Sequence, residues 1–116
     1  MVSRAGQVVA TGLVSMVLWA GPSAGQRPNL DEGQRIYMQN CVNCHGTAGR
    51  GDGVVAANLD PKPADLASAK TQEKKDSDLL QVLKFGRPGT AMPGWMSELD
   101  ESDMRHVLAY IRSLAP

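Results

Sequence analysis

The chain has 116 residues, with 12 Lys+Arg balanced by 12 Asp+Glu. That length gives room for one domain, and without a basic surplus nucleic acid is not an expected partner. Aromatic residues make up 4% of the chain, so a domain this small needs help from a metal, a disulfide or a cofactor to complete its core.

The N-terminal segment has its own composition. Arg4 supplies a short basic start, and Val8 through Ala20 form an apolar stretch broken only by Thr11, Gly12 and Ser15. Small residues follow at Gly21, Ser23, Ala24 and Gly25. Residues 1–25 therefore read as a secretory signal peptide. The apolar stretch is shorter than the roughly 20 residues that span a bilayer comfortably, which disfavours a retained anchor. Cleavage near Ala24 or Gly25 starts the mature chain at about Gln26 and leaves residues 26–116 as one exported domain. In that compartment an idle pair of thiols tends towards a disulfide.

The first helix is expected from Asn29, an N-cap residue type, with Glu32 three positions on to close a capping box, and it runs towards Cys41. Leu30, Gly33, Tyr37 and Cys41 share one stripe, with Ile36 beside it. Gly33 costs about 1 kcal/mol of helix propensity against Ala, which is accounted for if another helix approaches closely there. Next comes Cys41-Val42-Asn43-Cys44-His45. Two thiols one helical turn apart with a histidine directly after them suit the covalent attachment of one haem. Each thiol can add across a vinyl group to give a thioether, while the His45 imidazole reaches the iron as proximal ligand. A thioredoxin-like dithiol needs a strand before the motif, whereas Ile36 to Asn40 continue a helical pattern. Structural zinc needs a fourth ligand, and the only other histidine, His106, is far along the chain. A buried macrocycle also supplies the apolar surface that Tyr37, Phe85, Trp95 and Tyr110 cannot provide alone.

After His45, the segment Gly46-Thr47-Ala48-Gly49-Arg50-Gly51-Asp52-Gly53 has too much glycine for regular structure and predicts a tight loop. It lacks the preceding strand and the Gly-Lys-Ser/Thr ending of a phosphate-binding loop. Asp60-Pro61-Lys62-Pro63 predicts a stiff extended segment, and Ala64 to Ala69 one short turn of helix. Thr71 to Asp76 reads as solvated surface. A helix capped by Asp76 or Ser77 then carries Leu79, Leu80, Val82, Leu83 and Phe85 and stops at Gly86. Met92 stands in the middle of Gly86-Arg87-Pro88-Gly89-Thr90-Ala91-Met92-Pro93-Gly94-Trp95, a loop where a core-filling side chain is out of place and a soft thioether ligand for haem iron is not. Met96, at the entry to the final helix, reads as a packing residue. That helix has the clearest local signals. Asp100 and Asp103 approximate a capping box, Leu99 and Met104 form a hydrophobic staple, and Met104, Val107, Leu108, Ile111 and Leu114 trace one apolar face. His106 falls off this face and reads as a surface residue.

With the haem motif, the Met-Pro loop and a terminal helix in this order, the chain resembles the class I c-type cytochromes of the small bacterial kind, from about Leu30 to Leu114. The strings Gly51-Asp52-Gly53, Pro61-Lys62-Pro63-Ala64-Asp65-Leu66 and Gly89-Thr90-Ala91-Met92-Pro93-Gly94-Trp95 are similar to those of many members. The resemblance implies an all-α fold, roughly three to five helices around one haem c attached through Cys41 and Cys44, with His45 Nε2 and the Met92 sulfur on the iron. It also implies that the first and last helices cross through Gly33, Tyr37 and Tyr110. Arg87, Lys62 and Trp95 are candidates to pair with the haem propionates. Members often place a proline just after Gly-Asp-Gly, in the loop whose carbonyl accepts the proximal histidine's N–H; here Val54 takes that place, which leaves the partner of His45 open. The implied function is electron transfer between periplasmic or membrane redox partners (a dehydrogenase, reductase or terminal oxidase) by a protein that is not itself an enzyme. Membrane association is expected only if the leader is retained. Two alternatives are an electron-transfer subunit of a larger oxidoreductase and a haem enzyme or gas sensor with an open iron site.

Overall fold

Five α-helices and one 3₁₀ turn form the regular structure among residues 2–3, 5–19 and 27–116, which the computed structural model describes. No strand occurs among these residues, in keeping with the all-α class. Residues 5–19 contain no helix, and their large apolar side chains are exposed. The small residues Gly21 to Gly25 and the expected cleavage point lie outside the described residues. Among the described residues no helix is long and apolar enough to cross a membrane.

Helix α1 (Leu30–Asn40) starts where the Asn29 side chain accepts from Asp31 N (2.9 Å) and Glu32 N (3.1 Å). The return half of the expected capping box does not form, because Glu32 is drawn into an ion pair with Arg35. The Asn29 N–H instead donates to His106 Nδ1 at 2.9 Å. His106, half-buried at the surface, therefore clasps the start of α1 to the last helix, a contact that its reading as a surface residue did not include. Gly33, Ile36, Tyr37 and Cys41 are buried as the stripe predicts, while Leu30 stays exposed at the free first turn.

The last helix, numbered α5 in chain order, spans Glu101–Ser113, and Asp100 and Asp103 close a full capping box (2.8 and 3.2 Å). It buries Met104, Val107, Leu108 and Ile111, with Leu99 buried just before it. Its crossing with α1 is the main packing of the domain, and Gly33 sits at the closest approach. A Cβ on Gly33 would overlap the His106 carbonyl oxygen and lie 2.7 Å from its carbonyl carbon. Beside it the rings of Tyr37 and Tyr110 meet at 5.2 Å, tilted by 55°, an edge-to-face type of contact. The glycine and aromatic crossing expected from the resemblance is thus present. Burying Ile36, Tyr37 and Val107 completely contributes about 1.5–3 kcal/mol for each side chain as an upper estimate.

Between these helices lie α2 (Val42–His45), the 3₁₀ turn (Ala56–Asn58), α3 (Ala69–Gln72) and α4 (Asp76–Phe85). The expected turn of helix at 64–69 begins only at Ala69, after Ser68. Thr71 to Asp76 is not simply solvated. Thr71 is buried and donates to Asp65 O (2.9 Å), and Gln72 Nε2 donates to Leu66 O (2.7 Å) and Ile111 O (2.9 Å). Arg112 reaches from α5 to Gln72 O, Lys74 O and Asp76 Oδ1. Asp76 is consequently the first residue of α4 and not its cap, and neither it nor Ser77 caps the helix. These polar residues are placed by carbonyls and a guanidinium from a distant helix, which local patterning cannot report. Helix α4 ends at Gly86, whose φ of 68° needs a glycine.

Candidate haem site

The haem motif is built on helical backbone that bends once. Cys41 caps α1 with its N–H on Tyr37 O (2.8 Å), and α2 restarts at Val42, with His45 N donating to Cys41 O (2.9 Å). Cys41 and Cys44 thus stand one turn apart, Cys41 buried in the core and Cys44 half-buried, both as free thiols. Burial and the neighbouring Cys44 push the Cys41 thiol up to about 11.

The glycine loop folds back onto the end of α2 and satisfies its carbonyls. Gly51 N donates to His45 O (2.8 Å), Gly53 N to Cys44 O (3.1 Å) and Val55 N to Asn43 O (3.1 Å). A Cβ on Gly53 would collide with the Asn43 carbonyl, 2.5 Å from its carbon. On the other side the buried Tyr37 hydroxyl donates to Gly46 O at 2.6 Å, so the helix crossing and the motif are fastened together. Burial raises the Tyr37 phenol well above its ordinary range, with the Cys41 sulfur adding to the shift.

His45 Nδ1 lies 3.0 Å from Ala64 O. A carbonyl can only accept, so Nδ1 carries the proton and Nε2 keeps its lone pair. Burial also depresses the His45 pKa, against the smaller opposing effect of the Ala64 bond, and so favours the neutral ring that binds a metal. The partner left open by Val54 is therefore Ala64, in the stiff Pro61-Lys62-Pro63-Ala64 segment. That segment comes close because Gly51 has no side chain to strike Pro63 O. Lys62 Nζ is turned onto Ala56 O (3.4 Å) and Ala57 O (3.3 Å), where it closes the 3₁₀ turn.

Met92 is half-buried against the core cluster, whereas Met96 is 59% exposed. The Met92 carbonyl accepts from Arg87 N (3.1 Å), and its N–H donates to Thr90 Oγ1 (3.2 Å). Trp95 Nε1 is the one buried side-chain polar atom among the described residues with no hydrogen-bond partner. The main helix packings join α1 with α5, α4 with α5, and α2 with α1 and the 3₁₀ turn. The element that carries His45 and the helix that precedes Met92 therefore have no substantial packing between them. Two unpaired thiols, a free imidazole lone pair, a half-buried thioether and an unmatched indole donor fit a thioether-bound macrocycle whose metal takes N and S ligands and whose edge carries carboxylates. No cluster of three or more His, Cys, Asp or Glu that could hold a metal ion occurs among the described residues.

Residues 30–115 match the family model for cytochrome c. The chain belongs to the cytochrome c family. It carries haem c, covalently bound, and its function is electron transfer. This cytochrome is 35% identical to cytochrome c55X of Stutzerimonas stutzeri over 111 residues, covering 92% of this chain and 85% of that protein. It is 33% identical to the cbb3-type cytochrome c oxidase subunit FixP of Bradyrhizobium diazoefficiens, matching 72% of this chain but 27% of the larger subunit. In fold it is similar to a chain of the Kuenenia stuttgartiensis reducing HAO-like protein complex, with a TM-score of 0.67 at 24% identity over 78% of this cytochrome and 44% of that chain. Sequence reasoning missed Ala64 and His106 as hydrogen-bond partners, and no local signal marked either.

Proposed function

We propose that this cytochrome is an exported single-haem carrier in which Cys41 and Cys44 form the two thioether bonds and His45 and Met92 are the axial ligands. Bound haem supplies a one-electron Fe(III)/Fe(II) couple. The observation that carries the ligand assignment is the orientation of His45. With Nδ1 committed to Ala64 O, only Nε2 is free to bind, and the ring cannot rotate without losing that bond. Met92 is supported over Met96 by burial and by a backbone tied on both sides. Its neutral thioether favours the ferrous state more than a second imidazole would, and so raises the potential. With His45 and Met92 both engaged, no position remains for a small-molecule substrate, which favours a carrier over a haem enzyme or gas sensor.

Export rests on the signal-like residues 1–25, and the exposure of Val8 to Trp19 is consistent with a leader that is removed. The likeness to cytochrome c55X supports a carrier that exchanges electrons with other redox proteins. The likeness to part of FixP supports the second reading, an electron-transfer unit within an oxidoreductase assembly, and copurification of the native protein separates the two. The ligand assignment is tested by Met92→Ala and Met96→Ala, following the weak long-wavelength sulfur-to-iron charge-transfer band of the oxidised protein. Met92→Ala should abolish the band and lower the potential while Met96→Ala leaves the band in place; the reverse pattern overturns the assignment.

A further inference from the structure

The segment from Gly86 to Trp95 leaves α4 and returns to the last turn of the same helix. Gly86 N donates to Val82 O (2.7 Å), Arg87 N to Met92 O (3.1 Å) and Trp95 N to Leu83 O (2.8 Å), so the outgoing and returning limbs lie side by side. Two glycines stand where they touch. A Cβ on Gly94 would lie 2.6 Å from Lys84 O and 3.0 Å from both Cα and C of Phe85. A Cβ on Gly86 would lie 2.5 Å from Met92 O, 2.6 Å from Pro93 C and 2.7 Å from Gly94 N. Every one of these neighbours is backbone, which cannot turn aside as a side chain can. Gly86 also has a φ of +68°, whereas Gly94 is outside the left-handed region, so its requirement is for space alone. At the loop tip the order is reversed. Gly89 has a φ of +78° and nothing within 4 Å of where its Cβ would be.

We infer that Gly86 and Gly94 are positioning residues for the Met92 ligand, because they let the returning limb lie directly on α4 and thereby set where the thioether sulfur stands. The inference rests on the assignment of Met92 as axial ligand. Helix α4 is held on α5, with Leu83 buried between them, and the limb is held on α4 by the glycine contact. Met92 is two residues from Gly94, and its carbonyl is the very atom for which Gly86 leaves room. A methyl group at position 94 must lift the limb by roughly 1 Å to reach an ordinary carbon–oxygen contact. Misplacement on that scale is enough to undo a site that depends on aimed ligands.

The test uses the haem-loaded protein and four variants: Gly94→Ala, Gly86→Asn, Gly89→Ala and Met92→Ala. Asn tolerates left-handed backbone but brings a Cβ, so Gly86→Asn probes space more than strain. Gly94→Ala and Gly86→Asn should lose the sulfur-to-iron band and bind CO in the reduced state at least tenfold faster than the parent, with far-UV helicity retained because the α1–α5 crossing lies elsewhere. Gly89→Ala, strained but open, should keep the band and the slow CO reaction. If Gly94→Ala keeps its band, or loses it only together with its helices, the inference is overturned. If Met92→Ala keeps the band, it is the ligand assignment that fails; if Met92→Ala loses it and Gly94→Ala does not, only the positioning role fails.

Discussion

Gly33→Ala places one methyl group in the α1–α5 crossing. The added carbon would overlap the His106 carbonyl oxygen and stand 2.7 Å from His106 C and 3.0 Å from Tyr110 Cβ. The first two are helix backbone and the third is the fixed root of a packed ring, so the helices must separate by roughly 1 Å. Overpacking of this kind costs about 1–3 kcal/mol. Separation also weakens the Tyr37–Tyr110 contact, worth about 0.5–1.5 kcal/mol, and the Asn29–His106 hydrogen bond, worth a similar amount. Better helix propensity returns about 1 kcal/mol, which leaves a net loss of about 2 kcal/mol. Urea unfolding of the haem-loaded variant, followed by far-UV circular dichroism at unchanged m-value, measures it. Gln34→Ala, one residue along on the exposed face, is the control and should stay within about 0.5 kcal/mol of the parent. A Gly33→Ala protein as stable as the parent would refute the close crossing as the reason for this glycine.

If Cys41 and Cys44 hold the haem, acid-acetone extraction should leave it on the polypeptide and the double variant Cys41→Ala/Cys44→Ala should release it; full extraction from the parent sinks the attachment. Because the macrocycle completes the core, the haem-free chain should lack a cooperative thermal transition. The reduced parent should bind CO slowly at neutral pH, and fast, complete binding would favour an open iron site. The Tyr37 phenol is raised in the fold chiefly by burial, so the folded state keeps a proton that the unfolded chain gives up. Its contribution is fully present below the unfolded value near pH 10 and is lost as pH rises above that, at up to about 1.4 kcal/mol per pH unit. Tyr37→Phe should be less stable near neutrality by about 1 kcal/mol for the lost bond to Gly46 O, yet show a flatter decline above pH 10. Equal slopes in the two proteins would contradict this.

What the chain alone determined were the features whose causes are local. The caps at Asn29 and Asp100, the apolar face from Met104 to Ile111, the spacing of Cys41, Cys44 and His45, and the isolation of Met92 among glycines and prolines all act within a turn or two of backbone. Even the reason for Gly33 was legible, since a helix that accepts a glycine in a buried stripe signals a close neighbour. What only the tertiary structure decided was which group answers which. His45 meets Ala64, 19 residues further on, because two glycines let the loop fold flat against the end of α2. His106 takes the Asn29 N–H, 77 residues away, and displaces the expected return bond from Glu32. Thr71, Gln72 and Asp76 look like solvated surface in sequence, and are held by Asp65 O, Ile111 O and Arg112 in the fold. The physical reason is common to all of them. Periodicity and capping depend on the order of neighbouring residues, whereas a polar group's partner depends on which distant backbone the packed helices bring within about 3 Å.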